Sequence, residues 1–386
     1  MLLSYAKWLI GFYLVTAAIQ VIAVDVPESL VSEIPPPKLD ARSWILQDQN
    51  SGWVIASHQP DMRVDPASIS KLMTAYVVFN EIKRGNLALT DEVHISERAW
   101  KTGGSRMFVK VNSNVGVEDL IKGLIVQSGN DAAVALSEHI AGSEEGFAEL
   151  MNKTAARLGL TNTQYRNSTG LPDADHYSTA RDISELSRAL IRDFPELYKI
   201  YSIRSFKYNK IKQDNRNLLL WRDDSVDGIK TGHTESAGYC LVGSAKRDGL
   251  RLISTVMGTA SKAYRAQAVH ALLKHGFAAY EGFELYDEKT TIANPTVFKG
   301  QAASVEAGLA VPLYVVVAKG SAKEMKVSLN LQGPLLAPLN MGSKVGSLRL
   351  NFKGELIGEH DLLARTEVAE ASFIGRSIDS IKLWFY

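Results

Sequence analysis

The sequence predicts an α+β fold, followed by a small all-β unit and a terminal amphipathic helix. Strand-like runs stand at both ends of roughly the first two thirds of the chain, with helical periodicity between them. Both ends of that region therefore feed one antiparallel sheet, with a helical subdomain between. From about Gly282 to Ala369 the texture changes to short alternating runs, such as Val327, Leu329, Leu331 and Leu348, Leu350, Phe352, separated by Gly and Pro. Phe373 to Tyr386 then projects as a helix with one apolar face.

Taken in order, residues 1–23 read as a signal peptide. Lys7 is the only charge before Asp25, Trp8 to Val24 is uncharged, and Val21-Ile22-Ala23 ends on a small residue, which places cleavage near Ala23. An uncleaved anchor helix is the alternative, although the stretch is short for a bilayer span. Residues 28–40, rich in Pro, form an extended lead-in. Ala41 to Gln47 and Trp53 to His58 read as strands of a hairpin whose loop contains Gly52. A helix starts near Pro66 or Ser68, carries the apolar stripe Ile69, Leu72, Met73, Tyr76, and ends at Gly85. Glu118 to Gln127, Asp131 to Ala141, Glu144 to Leu158 and Thr179 to Arg192 continue the helical region, the last opened by the cap pair Thr179 and Asp182. Gly238 to Ala245 and Leu250 to Met257 form a second hairpin, and a helix over Ala263 to Tyr280 closes the domain. The expected divisions are 1–23, 24–281, 282–369 and 370–386. On the terminal helix, Ile374, Ile378, Ile381 and Phe385 share a face and Arg376, Asp379 and Lys382 oppose it. That helix either lies in a membrane interface or docks on the protein's own core.

Length and charge narrow the function. A chain of 386 residues holds two or three domains and buries a core without staples. Lys and Arg total 43 against 42 Asp and Glu, which argues against a nucleic-acid binder that works by phosphate neutralisation. Cys240 is the only cysteine, so an intrachain disulfide is excluded, and it reads as a buried strand thiol. The sequence has no His-Glu-x-x-His and no paired cysteines, so neither a metal nor another cofactor is expected. It also lacks the P-loop and the G-x-S-x-G elbow.

What it has is Ser68-Ile69-Ser70-Lys71. Residues i and i+3 of a helical turn share a face, so the Lys71 amine can meet the Ser68 hydroxyl. A serine is a poor nucleophile until a base takes its proton, and a neutral lysine is such a base once burial and a second cation lower its pKa. By itself this motif is weak: Ser4-Tyr5-Ala6-Lys7 matches it in the leader. Two further elements follow in order. Ser128-Gly129-Asn130, between two helices, offers a hydroxyl and an amide. Lys230-Thr231-Gly232, before the second hairpin, offers a cation, a hydroxyl and an unhindered backbone on a strand edge. Ser328-Leu329-Asn330 and Lys101-Thr102-Gly103 match the same patterns but stand in the wrong order or domain.

With the flanks Asp65-Pro66-Ala67, Gln127 and Asp131, and Asp227-Gly228-Ile229 before and His233-Thr234 after, this set resembles the low-molecular-mass penicillin-binding proteins that are D-alanyl-D-alanine carboxypeptidases. The resemblance covers almost the whole chain, from leader to tail. It implies a β-lactamase/transpeptidase-like catalytic domain, with Ser68 as acyl-enzyme nucleophile and Lys71 as its base. Ser128 and Asn130 would assist proton transfer and hold the substrate's peptide group. Lys230, Thr231 and Gly232 would bind the ligand backbone and terminal carboxylate, and the backbone N–H of His233, with that of Ser68, would form an oxyanion hole. Arg216 and Arg265 would stand at the site edge and help to recognise the carboxylate, and a positive Lys230 would favour a neutral Lys71. Asp173, Asp175 and Asp182 match the stretch where the family has a loop near the site and would have no catalytic part. The implied reaction removes the terminal D-alanine of peptidoglycan pentapeptides. β-Lactams would acylate the same serine, and the protein would be exported and held peripherally on the periplasmic side of the inner membrane. Two rivals remain at this point. One is a β-lactamase, against which stands the lack of a Glu-x-x-Leu-Asn loop between Ser128 and Lys230; the other is a scaffold that kept the fold without the chemistry.

Overall fold

The computed structural model describes residues 34–385, so the predicted leader and its cleavage point lie outside the described residues. The chain opens with the hairpin β1 (Ser43–Asp48) and β2 (Val54–His58). A 3₁₀ turn, Ala67–Ser70, runs into α1 (Lys71–Lys83). The helical subdomain follows, with β3 (Glu92–His94), α2 (Glu97–Lys101), β4 (Asn114–Gly116), α3 (Val117–Lys122), α4 (Asn130–Ala141) and α5 (Glu144–Arg157). Next come α6 (Ala180–Asp193), the short α7 (Pro195–Tyr198) and a hairpin of β5 (Ser205–Tyr208) with β6 (Ile211–Asp214). The chain then returns to the first sheet with β7 (Val226–Thr234), β8 (Gly238–Arg247) and β9 (Leu250–Thr259), covered by α8 (Lys262–Ala279).

These strands form one antiparallel sheet in the order β2-β1-β9-β8-β7. The two chain ends of the domain meet in it, as the sequence predicts. Side chains alternate between the faces of a strand. Ile45 and Ile253 join the core beneath α1, α4 and α6, whereas Trp44, Leu46 and Leu252 join a second core beneath α8. Glycine sets how closely α8 sits. A Cβ on Gly243 would lie 2.5 Å from Val269 Cγ1, so β8 touches the helix at this point through bare backbone.

The predicted helix over 118–127 is interrupted. α3 ends at Lys122 and a π turn occupies Gly123–Gln127, closed by a bond from the Gly129 N–H to the Gly123 carbonyl. Met107 fills the space a side chain at position 123 would need, so the extra residue widens the turn where another segment packs. The hairpins β3/β4 and β5/β6 were not expected; their strands are three and four residues long and carry no sustained alternation.

The last strands form the all-β region. β10 (Tyr280–Tyr286) leaves α8 directly, so Gly282 lies inside its first strand. It is followed by β11 (Val297–Phe298), β12 (Ala307–Gly308), β13 (Leu313–Ala318), β14 (Met325–Leu331), β15 (Leu335–Leu336), β16 (Lys344–Phe352) and β17 (Glu355–Ala364). The main sheet here runs β12-β17-β16-β14, and β10 pairs with β13. α9 (Phe373–Lys382) ends the described chain. No helix among the described residues is long and apolar enough to cross a membrane.

Gly243→Val should overpack the β8–α8 contact and cost about 1–3 kcal/mol. A lowered thermal midpoint in a calorimetric scan is the expected result; an unchanged midpoint would show that α8 is not seated there.

Candidate active site

Ser68, Lys71, Ser128, Asn130, Lys230, Thr231 and Gly232, far apart in sequence, converge beside β7. A cleft of about 540 Å³ opens there, lined by Ser68, Ser128, Thr231, Gly232, His233, Arg216 and Arg265 among others. Lys71 and Asn130 sit behind its wall. β7 is the sheet's terminal strand, so its outer edge faces the cleft.

Ser68 lies in the 3₁₀ turn and Lys71 starts α1, so the two side chains stack one turn apart. Lys71 is buried, and its Nζ has three partners. It stands 3.2 Å from Ser68 Oγ and 2.6 Å from Asn130 Oδ1, and it also meets the Thr169 carbonyl. Asn130 and Thr169 present only acceptors at these contacts. A neutral amine has two hydrogens and one lone pair, so both hydrogens go to the carbonyl oxygens and the lone pair is left for the Ser68 hydroxyl. Burial lowers the Lys71 pKa to about 7, helped by the charge of Arg216 and opposed by Asp131 and Glu144.

Lys230 is also buried and its pKa is pushed well down, first by burial, then by the charge of Lys71, then by Arg216 and Arg265. The repulsion between Lys71 and Lys230 is mutual, as the sequence reading expected, and Arg216 adds a second cation acting on both. Lys230 donates to Ser128 Oγ at 2.7 Å and to the Thr231 carbonyl at 3.1 Å. Because Ser128 accepts from Lys230, its own hydrogen is free to point elsewhere.

Ser128 follows the π turn in the left-handed region, at φ 63°. That backbone is uncommon for serine, and its neighbours hold it. The Asn130 N–H donates to the Ser105 carbonyl at 2.7 Å and Asn130 Nδ2 donates to the Gly103 carbonyl at 2.6 Å. The Asp131 carboxylate accepts from the N–H groups of Met107 and Phe108, both at 2.9 Å. Segment 103–109 is thereby laced to the start of α4.

Opposite, a Cβ on Gly232 would meet Ile69 Cγ1 and the Pro66 carbonyl at 3.0 Å. The strand edge and the Ser68 turn are as close as glycine allows. Arg265 is buried in α8 and donates to the Gly232 carbonyl at 2.9 Å, which supports that strand from behind. Burial lowers its pKa to about 10, so it stays charged at neutral pH. Arg216, exposed by area yet set between the cleft walls, is lowered by desolvation and has no ion-pair partner among the described residues. The His233 side chain is exposed and lies against the Tyr239 ring, with centroids 4.0 Å apart. Cys240 is buried with its thiol pKa raised to about 11 by burial, an inert group. Asp173, Asp175 and Asp182 do not line the cleft.

Sequence reading missed Thr169, Gly170, Asp214 and Lys262. Thr169 acts through its carbonyl, which every residue type carries. A Cβ on Gly170 would fall 1.8 Å from the Ala67 carbonyl oxygen, so loop 167–171 closes directly on the Ser68 turn. Lys262 and Asp214 line the cleft; Lys262 follows the cap Ser261 and could have been found from the predicted helix start.

A buried lysine-backed serine in a cleft beside an edge strand defines a serine acyl-transfer hydrolase. The sequence matches the family described as D-alanyl-D-alanine carboxypeptidase over residues 31–261. It matches the C-terminal domain of penicillin-binding protein 5 over residues 280–370. The D-alanyl-D-alanine carboxypeptidase DacC of Escherichia coli (strain K12) is 41% identical over 361 residues, covering 92% of this chain and 90% of that protein. Penicillin-binding protein 5 from Haemophilus influenzae is similar in structure, with TM-score 0.83 and 42% identity, covering 87% of this chain and 100% of that one. Penicillin-binding protein D2 from Listeria monocytogenes, in its ampicillin-bound form, has TM-score 0.58 and 29% identity, covering 63% of this chain and 100% of that one. The chain belongs to the D-alanyl-D-alanine carboxypeptidase family, with a transpeptidase-like α/β domain and an all-β C-terminal domain.

Arg216→Ala removes a charge that lowers Lys71, so the Lys71 pKa should rise from about 7. An NMR titration of the lysine side chains reads this directly; a Lys71 midpoint that stays in place or falls would contradict the electrostatic account.

Proposed function

We propose that Ser68 is the nucleophile of a serine D-Ala-D-Ala carboxypeptidase that removes the terminal D-alanine from peptidoglycan pentapeptide stems. The observation that carries this reading is the three-partner seat of Lys71, which, once the amine is neutral, leaves its lone pair for the Ser68 hydroxyl. Ser68 Oγ attacks the carbonyl of the D-Ala–D-Ala bond as its proton passes to Lys71 Nζ. The tetrahedral oxyanion is held by the N–H groups of Ser68 and His233. The Ser128 hydroxyl, held from behind by Lys230, hands its proton to the departing amine and is resupplied with the proton that Lys71 took from Ser68, so D-alanine leaves and Lys71 is neutral again. Water then attacks the Ser68 ester by the same base and frees the shortened peptide and the serine.

Asn130 orients both Lys71 and the substrate amide. The Thr231 hydroxyl, Lys230 and Arg216 receive the terminal carboxylate, with Arg265 holding the Gly232 end of the strand that presents them. A β-lactam offers a strained carbonyl and a carboxylate to the same groups, so it acylates Ser68. In this account acylation rises with pH through about 7, because Lys71 must lose its proton to act.

The proposed place of work is the outer face of the bacterial inner membrane, after export by residues 1–23, with 24–281 as catalytic domain, 282–369 as β domain and 370–386 as the membrane-associating tail. The posture of α9 supports a membrane-facing tail. Asp379, on its polar side, accepts from the Lys299 N–H at 2.7 Å, while Phe373, Ile374, Ile378 and Ile381 are all more than half exposed. A helix docked on the protein by its apolar face would show the reverse.

Labelled penicillin should form an adduct on wild-type protein and none on Ser68→Ala. Lys71→Ala should fold and acylate at least about 100-fold more slowly; normal acylation by that variant would remove Lys71 as base. With a muramyl pentapeptide, release of one D-alanine is expected. Rapid turnover of penicillin without D-alanine release would instead favour a β-lactamase, and neither adduct nor product a scaffold. Deletion of residues 370–386 should leave activity on soluble peptide and lower sedimentation with anionic liposomes; unchanged sedimentation would take the tail out of membrane contact.

A further inference from the structure

His176 takes no part in the proton transfers above, yet it is buried beneath the Ser68 turn, with 3% of its surface exposed. Its partners define its protonation state. The Arg166 N–H donates to Nδ1 at 3.3 Å, so Nδ1 carries a lone pair. Ser70 Oγ gives its one hydrogen to the Ala67 carbonyl at 2.8 Å. At the 2.8 Å contact between Ser70 Oγ and His176 Nε2, the ring is therefore the donor. The imidazole is the neutral Nε2–H tautomer with both nitrogens engaged. Burial, with a small contribution from the charge of Lys71, lowers its pKa to about 4 against the Asp65 and Asp173 carboxylates that raise it. The Tyr165 ring closes edge-on over it.

The relay ends on the residue before the nucleophile. Ala67 has φ 48°, a left-handed backbone that alanine adopts only under constraint. Its N–H donates to Asp65 Oδ1 at 2.8 Å and its carbonyl takes the Ser70 hydroxyl. The setting of this peptide decides where Ser68 Oγ projects. The same loop that carries His176 also holds Lys71, through the Thr169 carbonyl.

We infer that His176 is a positioning residue for acyl transfer: by donating to Ser70 it keeps the Ser70 hydroxyl on the Ala67 carbonyl, and so holds the peptide from which Ser68 faces Lys71. This rests on the reading of Ser68 as nucleophile. A glutamine can place its Nε2 where the ring nitrogen stands, whereas an asparagine is too short.

The test measures penicillin acylation by stopped flow on the full chain, resolving non-covalent binding from the acylation step. His176→Asn should slow acylation about tenfold or more with binding unchanged, a loss of the size that small misplacements of reacting groups cause. His176→Gln should recover most of the rate. Ser70→Ala should match His176→Asn, and the double variant should be no slower than either. The midpoint of the pH profile should stay near 7 in all of them, because the base is untouched, while the plateau falls. Equal rates for His176→Asn and His176→Gln, or losses that multiply in the double variant, would overturn the inference; so would a change confined to thermal stability. Should His176→Asn fail to fold, Ser70→Ala against wild type decides alone, with a wild-type rate counting against. Mass spectrometry of the wild-type adduct separates the two levels: an adduct away from Ser68 defeats the nucleophile reading, whereas an adduct on Ser68 with unaltered variant rates defeats only the role of His176.

Discussion

Removing an ammonium group from water is costly, and the site is organised around that cost. A lysine with 1% of its surface exposed cannot hold its proton as a solvated one does. Lys71 is met by two fixed carbonyl oxygens and one hydroxyl, which suits an amine with one lone pair to spare. Everything that supplies those oxygens has to be held in place. Asn130 is pinned by Gly103 and Ser105, Thr169 by a loop closed on Ala67, and Ser68 by a left-handed residue before it. The π turn before Ser128 and the glycine at position 232 are further conditions of the same approach.

The sheet supplies the rigid frame for this arrangement. Its central strands are buried on both faces, between the helical subdomain and α8. β7 is thus held against β8 and offers its free edge at a fixed height beside the start of α1. The positive charge needed for a carboxylate is concentrated on that edge and its rim, in a protein whose formal charge is only +1. Local concentration of charge, rather than net charge, is what the cleft provides.

Much of this was legible in the sequence because the chemistry depends on residue type. Ser68, Lys71, Ser128, Asn130 and the Lys230 strand could be named from order and spacing, and the sheet built from both ends followed from where the strand-like runs stand. What could not be read falls into two kinds. The Thr169, Gly103 and Ala67 contacts are made by backbone carbonyls, which leave no mark on residue identity. The charge relation between Lys71 and Arg216 depends on three-dimensional placement, and it adds to the influence of Lys230 that the sequence suggested. His176 stood among scattered histidines with no spacing to mark it, and its meaning comes only from the hydrogen-bond directions around it. The helix over 118–127 was interrupted for a similar reason: Met107, a distant residue, fills the space beside Gly123.

The free edge of β7 has one more consequence. An unpaired edge strand invites another sheet to add to it, and proteins usually blunt such edges with charge, bulges or cover. Here the edge lies at the bottom of a slot, with the Ser68 turn against Gly232 on one side and segment 103–109 on the other. A single extended chain needs less room in that slot than a neighbouring sheet, whose edge strand brings the rest of its sheet with it. The walls that narrow the cleft therefore also cover this edge, one of the ways in which such edges are kept from pairing with other sheets.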